Sequence, residues 1–211
     1  ITATVPQIGL ITASIISKKA AEGLEKLVLD VKYGNAAFMK REEDALALAK
    51  SMVATGNGLG MKVIAQVTEM NNPIGRMFGN SHEIVECIQC LKGKGPKDTM
   101  ELILSQADAL GYDIRPVIAD GSALEEFRNM CIRQGVSPTD INKIIENAWS
   151  GLPRGEVQTL LYSDESGYIQ SIHALTIGEI LCKLGAGRTG ENPNIDHGIG
   201  AELLVGIGNE I

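Results

Sequence analysis

Leu27-Val-Leu-Asp-Val31 decides the reading of the fold. It is a short apolar run rich in aliphatic and β-branched residues, interrupted only at Asp30, which is the pattern of a parallel strand buried on both faces. Glu42 to Thr55 follows with helical periodicity, and Met61 to Val67 repeats the strand pattern. Residues 27–67 therefore read as a βαβ unit with a right-handed crossover. Ligands of open α/β sheets bind outside the carboxyl ends of the strands, so the loop Lys32-Tyr-Gly-Asn-Ala-Ala-Phe38 is a site candidate by position.

Working outward, Ile8 to Ala21 carries apolar residues at Ile8, Ile11, Ile15 and Ile16 among polar ones and suits an amphipathic helix ending at Gly23. Further helices are expected at Ser81–Leu91, Thr99–Ala109, Ser122–Gln134 and from Pro138 to about Trp149. From Gly155 the pattern changes. Glu156–Tyr162 and Gly167–Ile172 read as two strands joined by Ser163-Asp-Glu-Ser166, with a short helix at Leu175–Leu184. That hairpin tip contains no lysine, which argues against a biotinyl or lipoyl carrier domain. The whole is expected to be α/β with a small C-terminal α+β domain beginning near Pro153.

Composition agrees with this class. The 211 residues are 44% hydrophobic but only 4% aromatic, with 24 glycines, so the core is aliphatic. No stretch offers the about 18 apolar residues of a membrane span, and no signal peptide is evident, which predicts a cytoplasmic protein without a membrane partner. A net charge of -7, with no basic run, argues against nucleic acid as a partner. The chain opens at Ile1 without an initiator methionine and reads as part of something longer.

Several motifs have structural explanations. Gly56-Asn-Gly-Leu-Gly60 follows a helix and precedes a strand, the reverse of a phosphate-binding loop, and reads as a helix end with a tight turn. Cys87 and Cys90 lack a second ligand pair and read as small hydrophobes on one helix face, so no metal site is assigned. Gly185-Ala-Gly-Arg-Thr-Gly190 reads as a turn. Ser14 and Lys18, four residues apart, place a hydroxyl and an ammonium on one face of the first helix, where both can meet a planar polar ligand. On spacing alone, a solvated helix face explains the pair as well.

The stretches Ile1-Thr-Ala-Thr-Val5, Leu10-Ile-Thr-Ala-Ser-Ile-Ile-Ser-Lys-Lys19, Glu22-Gly-Leu24, Asp30-Val-Lys32 and Asn35-Ala-Ala-Phe-Met39 resemble the thymidine phosphorylase and pyrimidine-nucleoside phosphorylase family. The resemblance continues through Pro73-Ile-Gly75, Glu83-Ile-Val-Glu86, Asp120-Gly-Ser-Ala123, Leu184-Gly-Ala-Gly-Arg188 and Gly200-Ala-Glu-Leu-Leu-Val205, and so covers nearly the whole chain. It implies a pentosyltransferase that converts a pyrimidine nucleoside and orthophosphate, the co-substrate, to free base and (deoxy)ribose 1-phosphate. Ser14 and Lys18 match the positions that hydrogen-bond the pyrimidine edge and act as its catalytic residues. Val5, Ile11, Ile15 and Phe38 match positions that line the base pocket.

The resemblance further implies that residues 1–21 end an α lobe, 22–24 form a hinge, 25–153 are part of the α/β phosphorylase lobe and 154–211 are part of the C-terminal α+β domain. Substrates lie between the lobes of such enzymes, which close on them. No organic cofactor is implied, and a potassium site is offered by the carbonyls of Ile74 and Met77 with the Glu86 carboxylate. A homodimer is implied for the parent protein. Pro6 and Gly9 depart from the family pattern, where an acidic residue and a proline usually stand. The family's Lys-His-Ser phosphate loop and base-binding arginine have no counterpart within residues 1–211. The alternative expectation is accordingly a catalytically silent fragment or interaction module.

Overall fold

A computed structural model describes residues 6–190 and 193–211. The described residues form two compact units: residues 6–72, 103–113 and 173–175, and residues 73–102, 114–172, 176–190 and 193–211.

The first unit holds the βαβ motif. Helix α1 (Ile8–Ala21) starts at Gln7, whose Oε1 accepts the Leu10 N–H at 3.1 Å, and stops at Glu22 before Gly23, which takes the left-handed φ of 71° that glycine tolerates. Strands β1 (Lys26–Tyr33) and β2 (Lys62–Glu69) pair in parallel, Lys26 opposite Lys62 and Tyr33 opposite Glu69. Helix α2 (Glu42–Gly58) connects them, with Glu42, Glu43 and Asp44 in its first turn where they complement the helix dipole. Its end at Gly58, followed by Gly60 at φ 88°, makes residues 56–60 the helix end and turn that the residue order indicates.

An aliphatic core joins these elements: Ile16, Val31, Met39, Ala45, Leu48, Ala49, Met52, Met61 and Val63 are buried together, with Leu27, Leu29, Ala65 and Val67 packed against them. The core residues of β1 and β2 are odd-numbered. The even-numbered Lys26, Asp30, Lys32, Gln66 and Thr68 therefore share the opposite sheet face.

The second unit contains β3 (Met77–Phe78), α3 (Asn80–Leu91), the first turns of α4 (Lys97–Leu110), α5 (Arg115–Ala119), α6 (Ser122–Arg133), α7 (Pro138–Glu146), α8 (Ala174–Leu181) beyond its first turn, and β4 (Ala201–Glu202). β3 and β4 pair antiparallel. α7 begins with Ser137 Oγ accepting the Asp140 N–H at 3.1 Å.

Three expectations are corrected by the structure, which also adds a helix. Residues 156–162 and 167–172 do not form a hairpin: the first segment has no strand structure, and Val157, Leu160, Leu161 and Tyr162 are exposed. Gly167 and Ile169 instead exchange backbone hydrogen bonds with residues 208–211, a long-range pairing that local alternation cannot reveal. α7 stops at Glu146 because Asn147 is extended (φ -143°, ψ 101°), and Trp149 lies in a short 3₁₀ turn. The helix α5 was not expected. Of the two thiols expected to be packed, Cys90 is buried and Cys87 is exposed. Among the described residues, no helix is long and apolar enough to cross a membrane.

Candidate functional site

Helix α1 divides its faces cleanly. Ile16 is 1% exposed, and Ile8, Ile11 and Ile15 pack against the core from its flank. Thr12, 3% exposed, shares a hydrogen bond of 2.9 Å with the Ser51 hydroxyl of α2. This contact lies within an otherwise apolar helix–helix seam and so fixes which face of α1 is turned inward. Leu10, Ser14 and Lys18, spaced by one helical turn, are consequently exposed as a stripe. Lys19 is ion-paired with Glu22 at 3.0 Å, whereas Lys18 has no ion-pair partner among the described residues. The stripe thus offers a hydroxyl and an uncommitted ammonium on rigid backbone.

The other proposed pocket residues are distributed differently. Ile11 and Ile15 are partly buried on the flank between that stripe and the core. Phe38, on the separate β1–α2 loop, is 75% exposed. Val5 lies outside the described residues.

The carboxyl end of β1 carries a polar group. Lys32 Nζ lies 2.8 Å from Asp30 Oδ2 and donates to Thr68 Oγ1 at 2.8 Å, while the Thr68 hydroxyl donates to Asp30 Oδ1. The sequence signal was present: Asp30 and Lys32, two apart in a strand, point to one face and interrupt an apolar run. Thr68 became visible only through the parallel register. The loop that follows is held by Asn71, whose Oδ1 accepts the Asn35 N–H at 2.9 Å and packs so closely on Gly34 (φ 120°) that a side chain there would collide with it.

In the second unit, the turn at 75–77 points successive N–H groups at two carboxylates. Gly75 donates to Asp98 Oδ2 at 3.0 Å, and Arg76 and Met77 donate to Glu86 Oε2 at 2.7 and 3.0 Å. A Cβ on Gly75 would collide with Glu86 Oε1. Glu86 is thereby anchored through one oxygen against the turn carrying the Ile74 and Met77 carbonyls. An all-oxygen donor set of this kind suits a hard cation. Nearby, burial and then the Glu86 carboxylate push the Cys90 thiol up to about 11.

Two family models match the chain: "Glycosyl transferase family, a/b domain" over residues 1–119 and "Pyrimidine nucleoside phosphorylase C-terminal domain" over residues 168–211. The thymidine phosphorylase of Rattus norvegicus is 39% identical over 225 residues, covering 99% of this chain and 47% of the relative. The human thymidine phosphorylase is 37% identical over 228 residues, covering 100% and 47%. The pyrimidine-nucleoside phosphorylase of Bacillus subtilis (strain 168) is 38% identical over 224 residues, covering 100% and 51%. The chain spans about half the length of the curated relatives it matches. With an a/b-domain match over more than half its residues and phosphorylase relatives along its whole length, the chain belongs to the glycosyl transferase family, in its thymidine and pyrimidine-nucleoside phosphorylase group.

Proposed function

We propose that this chain takes part in the phosphorolysis of thymidine or a related pyrimidine nucleoside. The observation that carries the reading is the exposed Ser14–Lys18 pair, on a helix that similarity to phosphorylases covers in full. Orthophosphate attacks C1′ of the pentose as the bond from C1′ to the base nitrogen breaks. The electron pair of that bond goes to the base, and the products are free base and (deoxy)ribose 1-phosphate. Negative charge therefore develops on the pyrimidine ring. The Lys18 ammonium and Ser14 hydroxyl donate to its polar edge and bind that charge more tightly in the transition state than in the ground state. Ile11, Ile15, Phe38 and Val5 supply the apolar lining in this reading.

The domain reading accompanies it: residues 1–21 as a helix of an α lobe, 22–24 as a hinge, 25–153 as the α/β lobe and 154–211 as the C-terminal domain. A homodimer is proposed for the active protein and would be measured by light scattering. The cytoplasm is its proposed compartment, in keeping with four free thiols. Potassium, held by Glu86 and the carbonyls of Ile74 and Met77, would supply a fixed positive charge that orders the 74–77 turn. Replacing potassium with choline should lower the thermal midpoint if that ion is bound.

The test of the reaction is product release. Incubation with thymidine and orthophosphate should yield thymine and deoxyribose 1-phosphate in equal amounts, with no thymine when phosphate is omitted. Thymine release independent of phosphate would overturn the reading, and no release at all would favour an interaction module.

A further inference from the structure

Beyond the pyrimidine edge, we propose that the carboxyl ends of β1 and β2 form a subsite for the hydroxyls of the pentose, made by the Lys32 ammonium with Asp30 and Thr68 and by the Asn35 amide. The proposal rests on the phosphorylase reading and extends it to residues on a different element.

Three observations converge. The first is position: Lys32 and Thr68 are the penultimate residues of β1 and β2, and Asn35 stands two residues beyond β1, at the strand ends where α/β proteins bind ligands. The second is the ion pair. The Lys32 and Asp30 side chains keep only 25% and 19% of their exposure, so both charges are largely withdrawn from water on a strand whose other residues between Lys26 and Tyr33 are aliphatic. Such a pair is weak evidence for stability, because apolar residues of similar size usually serve a sheet as well or better. An ammonium has three donors. Two of those of Lys32 meet Asp30 and Thr68, which leaves one for a ligand.

The third observation identifies the ligand's chemistry. Among the described residues, Asn35 Oδ1 and Gln66 Oε1 are buried acceptors without a hydrogen-bond partner. Gln66 stands directly opposite Asp30 on the same sheet face. Asn35 is fixed at both main-chain groups, its N–H donating to Asn71 Oδ1 at 2.9 Å and its carbonyl accepting from Lys40 Nζ at 2.9 Å. Its backbone is thus fixed, and its side-chain oxygen has nothing to accept from. Buried polar atoms of this kind call for a partner. The missing groups are donors, on the same strand pair and its following loop as an ammonium with a donor to spare and a carboxylate that repels anions. A sugar hydroxyl donates and accepts at once and so matches this mixed set of donor and acceptors. Orthophosphate brings mainly acceptors and would face Asp30.

The experiment is calorimetric titration of the protein with thymidine, 3′-deoxythymidine, 5′-deoxythymidine and thymine. The wild type should bind thymidine more tightly than at least one deoxy analogue, by roughly tenfold or more, as expected for a hydrogen bond to a charged group. Lys32→Met and Asn35→Ala should abolish that preference while leaving thymine affinity within about twofold. Should Lys32→Met fail to fold, by circular dichroism, Asp30→Asn/Lys32→Met removes both charges together and is read in the same way. A variant that keeps the wild-type preference, or one that weakens thymine and thymidine equally, overturns the subsite while leaving the phosphorylase reading intact. A wild type that binds neither thymine nor thymidine overturns the phosphorylase reading, and the subsite with it.

Discussion

Lys18 is the residue on which the functional reading is most exposed to test. Removing a preorganised donor aimed at developing charge typically costs 10²- to 10³-fold in rate. Lys18→Ala should therefore lower kcat/KM for phosphorolysis by roughly that amount, and Ser14→Ala by about tenfold; a loss below tenfold at Lys18 would remove it from the mechanism. Their spacing was legible in the sequence because it needs only the helical period. Which side of α1 they occupy was not, since Thr12 and Ser51, 39 positions apart, settle it. Thr12→Val keeps the shape but leaves the Ser51 hydroxyl without its partner, and should cost about 1–3 kcal/mol in denaturant unfolding. Thr12→Val/Ser51→Ala, which removes both hydroxyls, should recover part of that loss.

At the scale of elements, local signals served well where they were sufficient. α1 runs from Ile8 to Ala21 as its periodicity and Gly23 indicate, and the βαβ unit forms as the aliphatic runs require. The failure at 156–162 has a definite cause: alternation marks a segment able to be a strand, but a strand exists only where another backbone satisfies its N–H and C=O groups. Gly167 and Ile169 found theirs in residues 208–211. A comparable long-range contact explains Gly79, the residue before α3. It adopts φ 108° and lies so close to the carbonyl of Ile199 that a side chain would collide with it. Gly79→Ala should destabilise the second unit by roughly 2 kcal/mol or more, since a strained backbone alone costs of order 1–3 kcal/mol. Urea unfolding monitored by the fluorescence of Trp149 would measure this.

For the molecule as a whole, His82 links stability to pH. Its ring meets Trp149 edge to face at 4.9 Å, with Arg154 stacked on that same indole, and its Nδ1 is buried without a partner. Burial, and then the positive charge of Arg154, hold its pKa below the ordinary 6.5, against a smaller opposing pull from Glu202. The unfolded chain therefore takes up a proton that the folded chain resists, and stability should fall as pH drops through 6.5 towards the lower folded value. Thermal midpoints at pH 7.5 and 5.5 should show this decline, and His82→Phe, which keeps a ring against Trp149, should flatten it. By itself the sequence determined the α/β class, the first helix and the spacing that puts Ser14 and Lys18 on one face of it, because these follow from residue periods and from resemblance along the chain. Only the tertiary structure decided that Asp30, Lys32, Thr68 and Asn35 gather at one pair of strand ends and that His82 meets Trp149. Those groupings depend on parallel register and long-range packing, which join residues that no local pattern connects.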